Sequence, residues 1–264
     1  MRKIVLFDMD GTLTPPREPL DYSLVETLSE TCRHAEIGIV SGSDYDYIMQ
    51  QCGFLTTKDE IKLKLHILPC NGTKHYAPPS YRDQIHKLAY KENMRRTLGD
   101  PDFNTILKKL IDYQNHIVSH YDIPLTGHFI SYRESMINWC PIGRNALNSD
   151  RDKFANFDKS FGTSTFRRTL LEQMREEFQN ARIPVEIKLG GETSFDIYPS
   201  GWDKTFAMQH FPDSKIYFLG DRCGDNGNDK ELFDLLQPEC SFWVDDTNHT
   251  REILETILNP KLRE

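Results

Sequence analysis

The run Ile4-Val5-Leu6-Phe7 passes without a polar interruption into Asp8-Met9-Asp10-Gly11-Thr12-Leu13-Thr14. A short continuous apolar run closed by a turn reads as a strand buried on both faces, which belongs in a mostly parallel sheet covered by helices. Open sheets of that kind place their ligands at the carboxyl ends of the strands. Residues two apart in extended chain share a side, so Asp8 and Asp10 can face one cavity, and Gly11 lets the chain turn away sharply. Taken alone, Asp-Gly also suits an ordinary acidic turn.

The same alternation returns along the chain. Pro15, Pro16 and Pro19 stiffen a loop, Asp21 or Ser23 can cap a helix through about Cys32, and Ile37–Val40 is a second buried strand closed by Ser41, Gly42, Ser43 and Asp44. A helix is expected from Tyr45 to Gln51 and a third strand over Leu65–Leu68, before the Asn71-Gly72 turn. Near the end, Ile216–Leu219 stops at Gly220-Asp221, Ser241–Val244 makes a last strand, and Arg251–Leu258 a closing helix. These stretches read as one doubly wound α/β core built from both ends of the chain, residues 1–83 and 200–264.

Between them, over 84–199, the texture changes. Phe103, Ile106, Leu107, Leu110, Ile111, Gln114, Ile117 and Val118 recur at helical spacing, as do Phe166, Leu170, Met174 and Phe178. Strand-like pieces at Gly127–Tyr132, Ser135–Trp139, Val185–Leu189 and Ser194–Tyr198 accompany them. An inserted α+β domain is expected, with an antiparallel sheet covered on one face by helices. Its apolar stripes are assigned to core or to a subunit interface.

At 264 residues the chain is long enough for two modest domains. A formal charge of −8 disfavours nucleic acid or an anionic membrane as an extended partner, because binding to phosphate backbones needs clustered Lys and Arg. Cys32, Cys52, Cys70, Cys140, Cys223 and Cys240 are far apart and form no zinc pattern, so reduced, buried thiols are expected. No apolar stretch approaches the roughly 20 residues of a membrane span, and the interrupted Ile4–Phe7 run is no signal peptide. A soluble, cytoplasmic protein is the expectation.

Asp8, Asp10 and Asp221, with Asn228 and Asp229 as supporting groups in the following loop, bring hard oxygen ligands towards one point. Magnesium suits such a set and completes its shell with substrate phosphate, although Asp221 also fits a plain turn. Ser41 and Ser43 can donate to phosphate oxygens or cap the next helix. Lys204, after the Gly201-Trp202-Asp203 turn, can hold a carboxylate and a phosphate together, or sit exposed in a first helical turn. Arg133 and Arg144 flank an expected hairpin and Arg151 follows a turn later, and the three either clamp a phosphate or are ordinary surface arginines.

Five blocks, in order, carry a resemblance that chooses among these readings. They are Phe7–Arg17, Gly42-Ser43-Asp44, Phe129–Arg144, Gly190–Lys204 and Gly220–Asp229. The first resembles the nucleophile motif of the haloacid dehalogenase superfamily. Together they resemble the eukaryotic-type phosphomannomutases, with Pro141-Ile142-Gly143-Arg144 and Ser194-Phe195-Asp196 through Lys204 the more specific segments. The resemblance implies a Rossmann-like haloacid dehalogenase core with a class IIB α+β cap. It further implies a magnesium-dependent mutase of hexose phosphates, primed by hexose 1,6-bisphosphate and dimeric through its caps. By position it makes Asp8 the nucleophile and Asp10 the general acid/base, assisted by Lys204. It gives magnesium to Asp8, Asp10 and Asp221, and the sugar phosphate to Arg17, Ser43, Arg133, Arg144, Arg151, Ser194 and Asp196. A sugar-phosphate phosphatase with the same nucleophile is the neighbouring possibility. The chain departs from the family at Glu134-Ser135, where Asn-Gly is usual, and at Cys70, where Glu is common.

Overall fold

The computed structural model describes residues 1–263 and contains two compact units, Met1–Lys91 with the segment from Trp202 onward, and Glu92–Gly201. The first unit carries strands β1 (Arg2–Phe7), β2 (Glu36–Val40), β3 (Leu65–Leu68), β4 (Lys74–Ala77), β5 (Lys87–Lys91), β10 (Ser214–Gly220) and β11 (Ser241–Trp243). Their order in the sheet is β11-β10-β1-β2-β3-β4-β5. From β11 to β3 every pairing is parallel. Ile4 to Phe7 are completely buried, as expected of a central strand covered on both faces. From β1 the chain winds outward through β2 and β3 and returns to β10 on the other side, so the strand order reverses beside β1. Phe7 pairs with Leu219 and with Ile39, and Asp8, Asp221 and Ser41 therefore leave three adjacent strand ends at the switch point where such sheets bind ligands.

The division between units lies at Lys91/Glu92 rather than at 84. Lys87–Lys91 is the outer strand of the core sheet, antiparallel to β4, which is itself antiparallel to β3. A buried contact between His66 Nδ1 and His75 Nε2, 2.8 Å apart, ties β4 to β3. Around the core, Asp21 caps the helix Tyr22–His34 by accepting from the Ser23 N–H, and Asp44 caps Tyr45–Cys52. At the C-terminal end the expected single helix is three linked segments, Thr247–Ile253, Leu254–Leu258 and Asn259–Arg263. All six cysteines are buried, and none forms a disulfide.

The second unit is an antiparallel sheet of β6 (Ile130–Tyr132), β7 (Ile137–Trp139), β8 (Val185–Gly190) and β9 (Ser194–Pro199), in the order β6-β7-β9-β8. The helix Asp100–His120 buries Phe103, Ile106, Leu110 and Ile117 of the stripe read from its spacing and leaves Ile111 and Val118 exposed, whereas Phe166–Asn180 buries all four residues of its own. Trp139 stacks on Phe195 with ring centroids 5.1 Å apart and donates to Gln114 Oε1 of the first helix at 2.8 Å. Alternation along β7 and β9 then puts Asn138, Ser194 and Asp196 on the face opposite Trp139 and Phe195. The strand expected from Gly127 begins only at Ile130, because Gly127 and His128 take φ of 81° and 55°, which no strand tolerates.

Candidate active site

Asp8 leaves β1 with its N–H still donating to Leu219 O, 2.9 Å away, so the sheet itself holds the residue. The chain then folds back at once, with Leu13 N–H and Thr14 N–H both donating to Met9 O. Gly11 has φ of 91°, and a Cβ there would run into the Asp221 carboxylate. The motif glycine is thus needed twice, for its conformation and for the close approach of two strand ends.

Lys204 is fully buried and donates to Asp8 Oδ1 and, at 2.5 Å, to Asp229 Oδ1. The other Asp229 oxygen accepts from the Arg222 N–H at 2.9 Å. Asp203 starts the short 3-10 helix Lys204–His210 by accepting from the Thr205 N–H at 2.7 Å, and Asn71 Nδ2 holds the Trp202 carbonyl at 3.1 Å. The lysine is therefore neither exposed nor in an α-helix. It is a charge carried into the core on a pinned turn.

Carboxylate oxygens of Asp8, Asp221 and Asp229 lie within 4.8 Å of one another. Burial pushes the Asp8 carboxyl well above the usual carboxylate range; the Lys204 ammonium opposes this, and Asp229 and Asp221 add to it. Burial likewise raises Asp221 to about 6, with Asp229 contributing. Burial alone would lower the Lys204 pKa, but Asp229 and Asp8 outweigh it and keep the ammonium charged. Three carboxylates facing one ammonium leave two negative charges in a dry site, which a divalent cation would offset. Asp221 Oδ1 and Asn228 Oδ1 are both buried with no hydrogen-bond partner among the described residues. A carboxylate oxygen of the cluster and the amide oxygen of the residue preceding Asp229, both without partners, are donors of the kind magnesium prefers.

Asp10 does not join that set. Its Oδ1 accepts from the Arg17 N–H at 3.0 Å, at a residue with φ of 68°. The third clustered carboxylate is Asp229, which the sequence suggested only as a supporting group. Ser41 Oγ accepts from the Ser43 N–H at 3.1 Å, and the backbone carbonyls of both serines are held by Asn71 and Cys70 N–H groups. The helix cap here is Asp44, which leaves the serines as loop formers at a strand end.

In the second unit Arg133 lies in the β6–β7 turn and Arg144 follows the far end of β7, so β7 runs between them; the two do not flank one hairpin. Arg151 sits in the first turn of the helix Asn148–Lys159, its guanidinium 3.9 Å from Glu192. Ser194 and Asp196 stand on β9, and Asn138, paired with Asp196 across the sheet, donates to both side chains. Arg167 is buried against Asp158 and donates to the carbonyls of Gly191 and Ser194, which anchors the β8–β9 turn. Neither Asn138 nor Arg167 was singled out by sequence, although a polar residue inside the apolar stretch Met136–Cys140 signals a buried partner.

Glu134 is the centre of a tight turn in which the Ser135 N–H donates to Arg133 O at 2.8 Å, and its φ is 65°. The departure from Asn thus loads a left-handed position with a residue that resists it; Asn adopts that conformation far more readily. Glu134→Asn should stabilise the protein by about 0.5–1 kcal/mol, read as a melting temperature higher by roughly 2 °C. An unchanged or lower melting temperature would remove strain as the account of this position.

Comparison with known proteins agrees with this layout. A family model described as eukaryotic phosphomannomutase matches residues 24–260. A phosphomannomutase of Arabidopsis thaliana is 35% identical over 233 residues, 88% of this chain and 87% of the relative. Phosphomannomutase 1 of Dictyostelium discoideum is 32% identical over 258 residues, 96% of each chain. Among solved structures, an N-terminally truncated, IMP-bound IMP-nucleotidase of Plasmodium falciparum aligns with a TM-score of 0.64 at 14% identity, over 97% of this chain and 68% of that one. A trehalose-6-phosphate phosphatase related protein aligns at 0.55 and 14% identity over 99% of both. These structural likenesses are of the fold, over nearly the whole of this chain. No helix among the described residues is long and apolar enough to cross a membrane.

Proposed function

The chain belongs to the eukaryotic phosphomannomutase family, and we propose that it interconverts mannose 1-phosphate and mannose 6-phosphate through a phospho-aspartate on Asp8. The observation that carries this reading is the buried cluster at the switch point, where Lys204 fixes one oxygen of Asp8 beside Asp221 and Asp229. A carboxylate held this way can attack phosphorus in line with its free oxygen, while the ammonium offsets charge on the transferring group. Asp10, on the loop immediately after Asp8 and outside the carboxylate cluster, gives a proton to the departing sugar oxygen and takes one from the hydroxyl that attacks next. Magnesium, when bound by Asp8, Asp221 and Asn228, supplies positive charge for the phosphoryl oxygens.

Mutase chemistry asks for more than this. The phosphoryl group must return from Asp8 to the other hydroxyl of the same sugar, by way of a hexose 1,6-bisphosphate. Arg17, Arg133, Arg144 and Arg151 provide cations for the second phosphate, Ser43 provides donors, and Ser194 and Asp196 meet sugar hydroxyls. A homodimer belongs to the same reading. Ile111 and Val118 stand 57% and 43% exposed beside Phe129 and Ile130, and they supply an apolar surface for it.

With magnesium and a catalytic amount of hexose 1,6-bisphosphate, mannose 1-phosphate should become mannose 6-phosphate with little free phosphate. Turnover should lag or fail without the bisphosphate, since an unphosphorylated Asp8 has nothing to donate. Stoichiometric phosphate with no 6-phosphate at any time would make the protein a phosphatase.

A further inference from the structure

Asn138 is 2% exposed in the middle of β7, directly across from Asp196. Its amide nitrogen donates to Asp196 Oδ1 at 2.7 Å and to Ser194 Oγ at 3.0 Å, which uses both of its hydrogens. The Ser194 hydroxyl in turn donates to Gly190 O at 2.7 Å. A Cβ on Gly190 would lie 2.8 Å from Asp196 Oδ2 and 2.9 Å from Ser194 Oγ, so glycine there lets all three groups close up. The other Asn138 atom, Oδ1, is buried and has no partner among the described residues.

This arrangement has a direction. The hydrogen of Ser194 is spent on a backbone carbonyl, and the two amide hydrogens of Asn138 go to Ser194 and Asp196, with the Phe195 carbonyl a longer third acceptor at 3.5 Å. What the cluster offers outward is acceptors only: the second oxygen of Asp196 and a lone pair on Ser194. Acceptors suit sugar hydroxyls and repel phosphate. A carboxylate rotates about its terminal bond unless one oxygen is pinned, and Asn138 does the pinning.

We propose that Asn138 is a positioning residue for sugar recognition: by holding Asp196 Oδ1 and Ser194 Oγ it aims the second oxygen of Asp196 at a hydroxyl of the hexose ring. The proposal rests on the mutase reading only in taking Asp196 as a hydroxyl acceptor. A merely structural asparagine would make the same two hydrogen bonds, so the test must separate orientation from stability.

The experiment measures KM and kcat for mannose 1-phosphate in the primed magnesium assay, with melting temperatures, for Asn138→Ala, Asp196→Asn and the swap Asn138→Asp/Asp196→Asn. Losing a hydrogen bond to a charged group should raise KM for Asn138→Ala by about 10-fold to 100-fold, with kcat at saturation changed by a much smaller factor. The swap keeps one donor facing one acceptor, so it should recover the melting temperature while KM stays high. A swap that also recovers KM would make Asn138 a structural residue and overturn the proposal. So would a KM within twofold of the parent for Asn138→Ala when Asp196→Asn raises it. If Asp196→Asn leaves KM unchanged as well, the hydroxyl-acceptor reading of Asp196 fails first and the positioning role falls with it.

Discussion

Lys204→Met will unfold at a temperature roughly 10 °C below the parent protein and will show no measurable turnover. The substitution keeps most of the side chain's volume and removes only the ammonium. Asp8 and Asp229 would then face each other, buried, with no cation between them. Breaking a buried pair from one side typically costs about 3–5 kcal/mol, and a domain of this size loses roughly 2–4 °C per kcal/mol. Carboxyls whose folded pKa lies above the unfolded value bind more protons when folded, so their stability contribution is present at low pH and lost as pH rises through the folded pKa. The deficit of Lys204→Met should accordingly be smaller at pH 5 than at pH 8. Adding Asp229→Asn removes one of the stranded charges and leaves an acceptor for the Arg222 N–H, so the double variant should regain stability without regaining activity. A melting temperature unchanged by Lys204→Met would mean that the ammonium is not compensating the carboxylates.

The parts of this arrangement that were legible in the sequence are those that local chemistry dictates. Ile4 to Phe7 can only be a buried strand, Gly11 can only be a turn, and the stripes at 103–118 and 166–178 both fall on helices. The parts that were not legible depend on distant partners or on weak burial. Lys87–Lys91 is a mostly exposed edge strand with a lysine at each end, so no apolar alternation marks it. The helix Asn148–Lys159 buries only Phe154 and Asp158, too little for a periodic signal. Asp229 lies 25 residues from Lys204 in the chain, and only the approach of the Gly220–Asp229 loop to the Asp203 turn makes it the lysine's second carboxylate. Asp10 shows the limit of the period-two argument: the chain is already turning at Met9, and the Asp10 carboxylate, bonded to the Arg17 N–H, is not one of the three clustered carboxylates.

Asp8→Asn tests the chemistry where Lys204→Met tests the charge balance. The amide has the shape of the carboxylate, and Lys204 retains Asp229 as its partner, so the fold should survive with little loss of stability. One of the three clustered negative charges disappears. Nucleophilicity disappears with it, because a neutral amide oxygen in a site built to stabilise an attacking anion cannot form the phosphoryl ester. Turnover should fall by about 10⁴-fold or more, and intact-mass measurement after acid quenching should find no phosphoryl adduct in the presence of hexose 1,6-bisphosphate. Asp10→Asn should behave differently. With Asp8 intact the adduct can still form, while loss of the proton donor slows turnover by about 10²-fold or more. The contrast places the covalent step and the proton on different aspartates. Near-normal turnover in Asp8→Asn, or an adduct that persists in it, would move the nucleophile elsewhere and leave the buried cluster as a structural ion pair.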